Sequence, residues 1–231
     1  MGFNEMMHAF IAAKFYVYLD EKYAEQGKAA FVHATRHYAE QRGRRMAQKA
    51  IRDGQPLTYD TYCRYGEWVN TEDAKALNAN NQSVPQTVNP VFETHIFVCP
   101  WAYQFKKMGL QEAGLVYCHD LDASICRGFN PEIDYKTTQT LHDHDHCIQI
   151  ISPSDIDPNH MPAKRPVSLK PFEYHCAHSY WAYADTVRAI FGCEGDLIAS
   201  KVLQDVADEY GKEYADTMMT YKDVDFTDIS R

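Results

Sequence analysis

The sequence predicts an α/β protein of the α+β kind, in which a small central antiparallel sheet with helices is flanked by two repeat-like helical arms. Apolar residues recur at helical spacing over residues 3–53 and 172–221, and short strand-like runs lie between residues 91 and 152. A proline-rich connection separates this centre from the second arm. We expect one domain over residues 1–231, with an N-terminal arm (1–56), a central core that carries the site (91–152) and a C-terminal arm (172–231).

The first arm is predicted to contain two helices that end at Gly54 and Pro56. Residues 57–68 are rich in aromatic side chains. Residues 70–90 contain several Asn and Pro residues, so we predict an irregular crossing loop there.

The central core is predicted to run strand, helix, helix, hairpin. A strand over residues 91–98 precedes Pro100, which starts a helix that stops at Gly109. A second helix from about residue 111 to 127 is predicted to end at Gly128. Residues 133–141 and 147–151 then form an antiparallel pair joined by the polar turn 142–146.

The second arm resembles a diverged copy of the first. Gly27 and Gly43 have the same separation as Gly195 and Gly211. This spacing predicts a helical repeat in which the surroundings of Gly43 and Gly211 are equivalent, and the two arms are expected to pack against each other or on one side of the central sheet. The alternative is that two amphipathic patterns match without common structure.

Composition and charge narrow the classes of partner. The 231 residues are 45% hydrophobic and 24% charged, with a formal net charge of −9. An acidic chain lacks the basic surface that attracts phosphate backbones or anionic lipids, and no apolar run approaches the ~20 residues of a membrane helix. We expect a small-molecule substrate, no nucleic acid and no membrane, and we leave a homo-oligomer open.

One basic cluster interrupts this acidic chain at helical spacing. It consists of Arg36, Arg42, Arg44, Arg45 and Lys49. We interpret the cluster as a solvated helix face, with a site for an anionic partner as the alternative.

The cysteines predict free thiols in a reducing compartment. There are seven, an odd number, with no C-x-x-C pair. The N-terminus has no signal-peptide pattern, so we expect a cytoplasmic protein.

Cys99 is the strongest single candidate for reactivity. It lies between a predicted strand and a helix that begins with Pro100, which would put its thiol at the positive end of the helix dipole. This position predicts a lowered thiol pKa and rapid alkylation. Burial as a small apolar residue is the alternative.

A thiol and a carboxylate share one face of the next predicted helix. Cys118 and Asp122 are four residues apart, with His119 about a quarter-turn away. Such a pair can divide nucleophilic and acid/base roles, or the carboxylate can bind a polar substrate group. A core thiol beside a surface carboxylate is the alternative.

The segment from His142 to Cys147 combines three imidazoles, two carboxylates and a thiol, and with Cys99, Cys118 or His95 it offers zinc ligands. Its spacing matches no closed zinc site, so we interpret it as a tight polar turn and predict no metal. Activity is expected to survive a chelator. Because no phosphate loop or dinucleotide fingerprint is present, we expect no cofactor.

Six short blocks, taken in order, resemble the L-2-amino-thiazoline-4-carboxylic acid hydrolase family. They are Cys99-Pro100-Trp101-Ala102, Gly109-Leu110, Tyr117-Cys118 with Asp122, Arg127-Gly128-Phe129-Asn130-Pro131, Thr140-Leu141, and Asp145-His146-Cys147. Residues 38–46 are similar to that family's helical arm, and Gly211 and Asp225-Phe226 also fit. One departure is His144, which stands where Gly is expected.

The resemblance implies hydrolytic opening of a small cyclic amidine or amide-like ring. Water adds to the ring carbon between sulfur and nitrogen, and the C–S bond breaks to leave an N-carbamoyl amino acid. Under this reading Cys99 is the first choice of nucleophile and Cys118 the second. The further site residues are Asp122 and Asp145 for acid/base or orienting roles, and Arg127, Asn130, His119 and Cys147 for substrate binding, with Arg127 suited to a carboxylate.

Two other functions stay open at this stage. The hairpin that ends in Cys147 also resembles the end of a 4-vinyl reductase type domain, which implies a small-molecule sensor without turnover. A zinc-dependent hydrolase is the second alternative. Convergence of Cys99, Cys118, Cys147 and Asp122 on one polar pocket would favour catalysis, whereas a wholly apolar cavity would favour binding alone.

Overall fold

A computed structural model describes residues 2–229, and over that range the chain is helical with one small sheet. The helices are α1 (Glu5–Tyr23), α2 (Glu25–Arg52), α3 (Tyr59–Arg64), α4 (Glu72–Ala76), α5 (Pro100–Lys107), α6 (Gln111–Phe129), α7 (Phe172–Phe191), α8 (Cys193–Tyr210) and α9 (Lys212–Met219). The strands are β1 (Gln82–Thr87), β2 (Phe92–Val98), β3 (Asp134–Gln139) and β4 (Cys147–Ser152). The predicted α+β class is confirmed.

The sheet has the order β1-β2-β4-β3, with every neighbouring pair antiparallel. Its inner face follows the two-residue alternation of a strand. On that face β2 presents Ile96, β4 presents Cys147 and Gln149, and β3 presents Tyr135 and Thr137. These five side chains therefore form one wall of the space between the sheet and the helices.

The two helical arms pack against each other. Helix α1 contacts α2 of its own arm and both α7 and α8 of the other arm. Aromatic rings fill this contact, and Phe15 of α1 stacks on Tyr183 of α7 with the ring centroids 5.1 Å apart. The apolar residues of α1 are therefore buried on most sides of the helix rather than along one stripe.

Each helical arm turns at a residue with positive φ. Ala24 separates α1 from α2 with φ 48°, and Gly192 separates α7 from α8 with φ 59°. The predicted equivalence of Gly43 and Gly211 is wrong, because α2 is continuous through Gly43 whereas α8 ends at Gly211. The repeat as a whole, and the domain limits drawn above, stay predictions.

The predicted loop over residues 70–90 is wrong, because it contains α4 and β1. All six residues of β1 are exposed, and the strand pairs only along the edge of the sheet. An edge strand with no buried face shows no apolar alternation, and it tolerates a proline such as Pro85. The alternation of apolar and polar residues that indicates a strand was therefore absent from this part of the sequence.

Gly128 does not end α6, which continues to Phe129. At this point α6 crosses α2, and a Cβ on Gly128 would overlap the backbone of Glu40. A Cβ on Gly43 would overlap the backbone of Ile125 in the same way. The two glycines allow the helix backbones to touch, which fixes α6 close against α2.

All seven cysteines are unpaired, as predicted. Within residues 2–229, no helix is both long enough and apolar enough to cross a membrane.

Candidate active site

A cavity of about 150 Å³ lies between the inner face of the sheet, the start of α5 and the helices α1, α2 and α6. This volume suits a ligand the size of one small ring. Its lining consists of His8, Arg42, Trp68, Asn81, Ile96, Cys99, Trp101, Tyr117, Cys118, Leu121, Asp122, Tyr135, Thr137, Cys147 and Gln149.

Four of the predicted site residues meet at this cavity. Cys99 reaches it from the β2–α5 junction, and Cys118 and Asp122 reach it from one face of α6. Cys147, the first residue of β4, pairs with Ile96 of β2 and completes the set. The cavity combines three thiols with a carboxylate and a guanidinium, so it is not wholly apolar.

The other four predicted residues do not reach the cavity. Asp145 and His119 are surface residues, with side chains 89% and 70% exposed. Arg127 pairs with Glu40 on the outside of the α2–α6 contact. Asn130 caps the end of α6, where its Nδ2 donates to the Leu57 carbonyl and its Oδ1 accepts from the Glu132 amide. These four residues are therefore near the thiols in the sequence but not in the folded structure.

Cys99 lies at the start of α5 as predicted, but the expected lowering of its pKa is wrong. Burial raises the pKa of the Cys99 thiol to about 12 and outweighs the backbone amides of Ala102 and Trp101, which act in the opposite direction. Cys193, by contrast, is exposed at the start of α8. Rapid alkylation is therefore expected at Cys193 rather than at Cys99.

Among the cavity thiols, and within residues 2–229, Cys118 is the one with an imidazole partner. Its Sγ lies 3.3 Å from Nε2 of His142, which comes from the turn between β3 and β4. Burial raises the pKa of Cys118 well above its ordinary value and lowers the pKa of His142 to about 4. At neutral pH in the free protein the pair is therefore a thiol and a neutral imidazole.

Asp122 lies between the thiols and the sheet. Burial raises the pKa of its carboxyl, while Arg42 and a hydrogen bond from Gln149 favour the ionised form. Gln149 Nε2 donates to Asp122 Oδ2 over 2.9 Å, which holds the carboxyl group toward the cavity. A buried carboxyl with a raised pKa can act as an acid at a pH where an exposed one is fully ionised.

The basic cluster on α2 is not a solvated face, contrary to our first interpretation. Arg42, Arg45 and Lys49 are buried and approach the carboxylate of Glu67, which is fully buried. Only Arg36 and Arg44 of the cluster are exposed. The residues at positions 42, 45 and 49 share one face of the helix, and a counter-ion distant in sequence makes their burial tolerable.

Arg42 retains unused hydrogen-bonding capacity within this group. Glu67 binds Arg45 through two hydrogen bonds of 2.9 and 2.6 Å, and Lys49 through one of 2.8 Å. Arg42 is farther from it, with Nε 3.8 Å from Oε2, and this buried Nε has no hydrogen-bond partner among the described residues. Arg42 also lines the cavity.

His8 on α1 is a cavity residue that sequence reasoning missed. Its Nδ1 accepts a hydrogen bond from Trp101 Nε1 over 3.0 Å, and its Nε2 lies 2.9 Å from the hydroxyl of Tyr38. The indole is donor only, so Nε2 carries the proton of the neutral ring. Burial, aided by His175 and Arg42, lowers the pKa of His8 well below its ordinary value. The ring is thus a fixed neutral part of the wall.

Two further polar atoms are buried at the cavity without a protein partner among the described residues: Asn81 Oδ1 and Thr137 Oγ1. Buried polar groups are normally hydrogen-bonded, so such atoms beside a cavity indicate where a polar ligand is bound. Together with Arg42 they offer both donors and acceptors to one small molecule.

No metal-binding group was found in the described part of the chain. Among residues 2–229, no three His, Cys, Asp or Glu side chains are arranged to hold a metal ion. The zinc-hydrolase alternative therefore has no ligand set in that range.

The fold and this cavity define an α+β protein with a thiol-lined cavity the size of one small ring. The chain belongs to the L-2-amino-thiazoline-4-carboxylic acid hydrolase family, whose model matches residues 4–149 and so covers well over half of it. Every residue that lines the cavity falls within the match, whereas Gly211 and Asp225-Phe226 lie beyond it. No curated protein and no solved structure matches the chain.

Proposed function

We propose that this protein hydrolyses a small cyclic amidine that carries a carboxylate, such as 2-amino-thiazoline-4-carboxylate, by opening the ring C–S bond with the help of a cavity thiol. The observation that carries the proposal is that three thiols, Asp122 and Arg42 line one ring-sized cavity. Membership of a hydrolase family supports the reaction class.

Arg42 is the proposed partner of the substrate carboxylate. A guanidinium forms paired, charge-assisted hydrogen bonds with a carboxylate, and the energy of such bonds increases away from water. Arg45 and Lys49 already neutralise Glu67, so the charge of Arg42 is available to a ligand. This role was assigned to Arg127 from the sequence, and Arg42 replaces it because Arg127 faces Glu40 on the surface.

The proposed reaction uses a thiol and Asp122 in two steps. The thiol sulfur attacks the ring carbon between sulfur and nitrogen, the ring C–S bond breaks, and the departing ring sulfur takes a proton from Asp122. Water then attacks the same carbon, Asp122 accepts the proton of that water, and the enzyme thiol is released. One water is consumed, and the product is an N-carbamoyl amino acid with a free thiol.

A sensor that binds the same ligand without turnover is the second candidate. One observation favours it: burial raises the pKa of all three cavity thiols, so none is a thiolate at neutral pH in the free protein. Catalysis then requires that a base or the bound ligand itself promote ionisation of a thiol.

The test is incubation of the purified protein with 2-amino-thiazoline-4-carboxylate, with the free thiol measured by a chromogenic disulfide and the product by mass spectrometry. Multiple turnovers are expected, with and without a chelator. The matched control substrate is 2-aminothiazoline, which lacks the carboxylate and should react with a much lower kcat/KM. Saturable binding of the carboxylate compound with no product would establish the sensor instead.

A further inference from the structure

We propose that His142 is the base that activates Cys118, which makes Cys118, rather than Cys99, the nucleophile of the ring opening. The inference rests on the proposed function, because it names the groups that begin the reaction. It follows from the contact between Cys118 Sγ and His142 Nε2, which are 3.3 Å apart.

The position of His142 is fixed by its own turn. The His142 amide donates to Thr140 Oγ1 over 3.2 Å, and the same hydroxyl donates to Asp143 Oδ1 over 2.7 Å. The turn is closed by a hydrogen bond of 3.0 Å from the His144 amide to the Thr140 carbonyl. These bonds hold the imidazole above α6 without help from the ligand.

Helix α6 has a matching opening for this ring. Gly114 lies one turn before Cys118, and a Cβ at Gly114 would overlap the His142 imidazole. Phe105 of α5 meets the same imidazole edge to face, with the ring centroids 5.6 Å apart. The imidazole therefore packs against both α6 and α5, with its Nε2 beside the Cys118 sulfur.

In the described part of the chain, the other two cavity thiols are hydrogen-bonded to no base. The Cys147 Sγ accepts a hydrogen bond from the Leu141 amide over 3.2 Å, and Cys99 faces the amides of Trp101 and Ala102. Both contacts are with donors, which cannot take a thiol proton. Within residues 2–229, the Cys118–His142 contact is the only hydrogen bond between a cavity thiol and an imidazole.

The surroundings keep the pair neutral until a substrate binds. His142 Nδ1 is buried without a hydrogen-bond partner among the described residues, so no carboxylate there is bonded to the ring, and the charge of Asp143 favours the imidazolium less than burial opposes it. The titratable groups that face the pair are Asp143 on the same turn, Asp122 and Tyr117 on α6, Cys99 before α5 and Cys147 on β4. None of them is a cation that would stabilise a thiolate, whereas a bound amidinium would supply that positive charge.

The proton that Cys118 releases is held by His142 and later returned to the same sulfur. His142 Nε2 takes the Cys118 proton as Sγ forms its bond to the ring carbon. When water has displaced the enzyme sulfur in the second step, the same nitrogen returns the proton to Sγ. Asp122 handles the protons of the departing ring sulfur and of the water, as proposed above.

The first test uses the unaltered protein. A reaction quenched in acid early in turnover and mapped by mass spectrometry should carry the opened substrate on Cys118. An adduct on Cys99 would overturn the assignment. Failure of the proposed function is distinct, because it would appear as the absence of product from the unaltered protein.

The second test compares His142→Gln with His144→Gln, which removes an exposed imidazole from the same turn. General-base removal should lower kcat by about 100-fold or more with a small change in KM, whereas His144→Gln should keep normal turnover. His142→Gln should also lose the acid limb of the kcat/KM profile, because that limb reports protonation of the base, whose pKa is about 4.

Cysteine variants complete the design. Cys118→Ser should lose turnover by orders of magnitude, while Cys99→Ser should retain a measurable rate. Cys126→Ser, a buried thiol on the same helix outside the cavity, is the matched control, with unfolding curves recorded for every variant. Normal turnover in Cys118→Ser, or an unchanged pH profile in folded His142→Gln, would refute the pair.

Discussion

Arg42 illustrates how the surroundings of one side chain decide its role. It shares a helix face with Arg45 and Lys49, and all three approach the one carboxylate of Glu67. Three cations beside one anion leave a surplus of buried positive charge, which is costly without a further anion. The carboxylate of a substrate would supply that anion at the cavity.

Replacement of Arg42 tests this account. Arg42→Met keeps much of the side-chain volume and removes the charge, so kcat/KM for the carboxylate substrate should fall about 10- to 100-fold, mostly through KM. The rate with 2-aminothiazoline should change far less. Arg44→Met, an exposed neighbour on α2, is the control. An equal loss with both substrates would indicate a structural effect and contradict carboxylate binding.

At the scale of elements, the site depends on how closely α6 approaches α2. Gly43 and Gly128 let the two backbones touch, and α6 carries both Cys118 and Asp122. A helix separation set by backbone contact is more rigid than one set by flexible side chains. The crossing therefore fixes the distance from the α6 residues to Arg42 on α2.

Gly43→Ala should destabilise the protein, although the same substitution usually stabilises a helix. Helix propensity alone favours alanine by about 1 kcal/mol. Here the new Cβ would overlap the backbone of Ile125, so we expect the free energy of unfolding to fall by about 1–3 kcal/mol. Urea unfolding measures the change, with Arg44→Ala as the exposed control. A gain in stability would show that the helices can separate freely.

At the scale of the molecule, a buried charge network connects distant segments. Glu67 lies between α3 and α4, Arg45 and Lys49 belong to α2, and the Arg45 Nη1 donates to the Phe226 carbonyl near the C-terminus over 2.5 Å. Burial opposes ionisation of Glu67, but Arg45, Lys49 and Arg42 together hold its pKa below the ordinary value. The network thus stabilises the fold only while Glu67 is ionised.

The sign of the pH dependence follows from that lowered pKa. The contribution of Glu67 to stability is complete above the unfolded-state pKa, about 4.3, and is lost as pH falls toward the folded-state pKa. Glu67→Gln leaves buried cations unpaired, so the free energy of unfolding at pH 7 should fall by about 3–5 kcal/mol. The variant should also lose part of the decline between about pH 5 and pH 3 that the unaltered protein shows.

Urea unfolding across that pH range measures both effects. Glu72→Gln is the control, because the Glu72 side chain is 88% exposed and its pair with Lys75 is worth little. A Glu67→Gln variant as stable as the unaltered protein would mean that the cations reach solvent or another anion.

The sequence by itself determined the features that depend on neighbours along the chain. Pro100 predicted the start of α5 and so placed Cys99, and a four-residue spacing put Cys118 and Asp122 on one face of α6. These signals are local, because helix starts and helix faces are set by a few consecutive residues. The family resemblance rested on such blocks, and the match over residues 4–149 confirmed it.

Tertiary structure alone decided which of those residues share a site and which others join them. His8 was not recognised, and Arg42 and His142 were given other roles, because the partners Trp101, Glu67 and Cys118 are distant in sequence. A periodic pattern does not show what covers a helix face. The pKa of Cys99 was predicted in the wrong direction for the same reason. The helix start can be read from adjacent residues, but the burial that raises the pKa of this thiol depends on the whole fold. Local spacing fixes which way a side chain points, whereas charge, protonation and partners depend on desolvation by the whole fold.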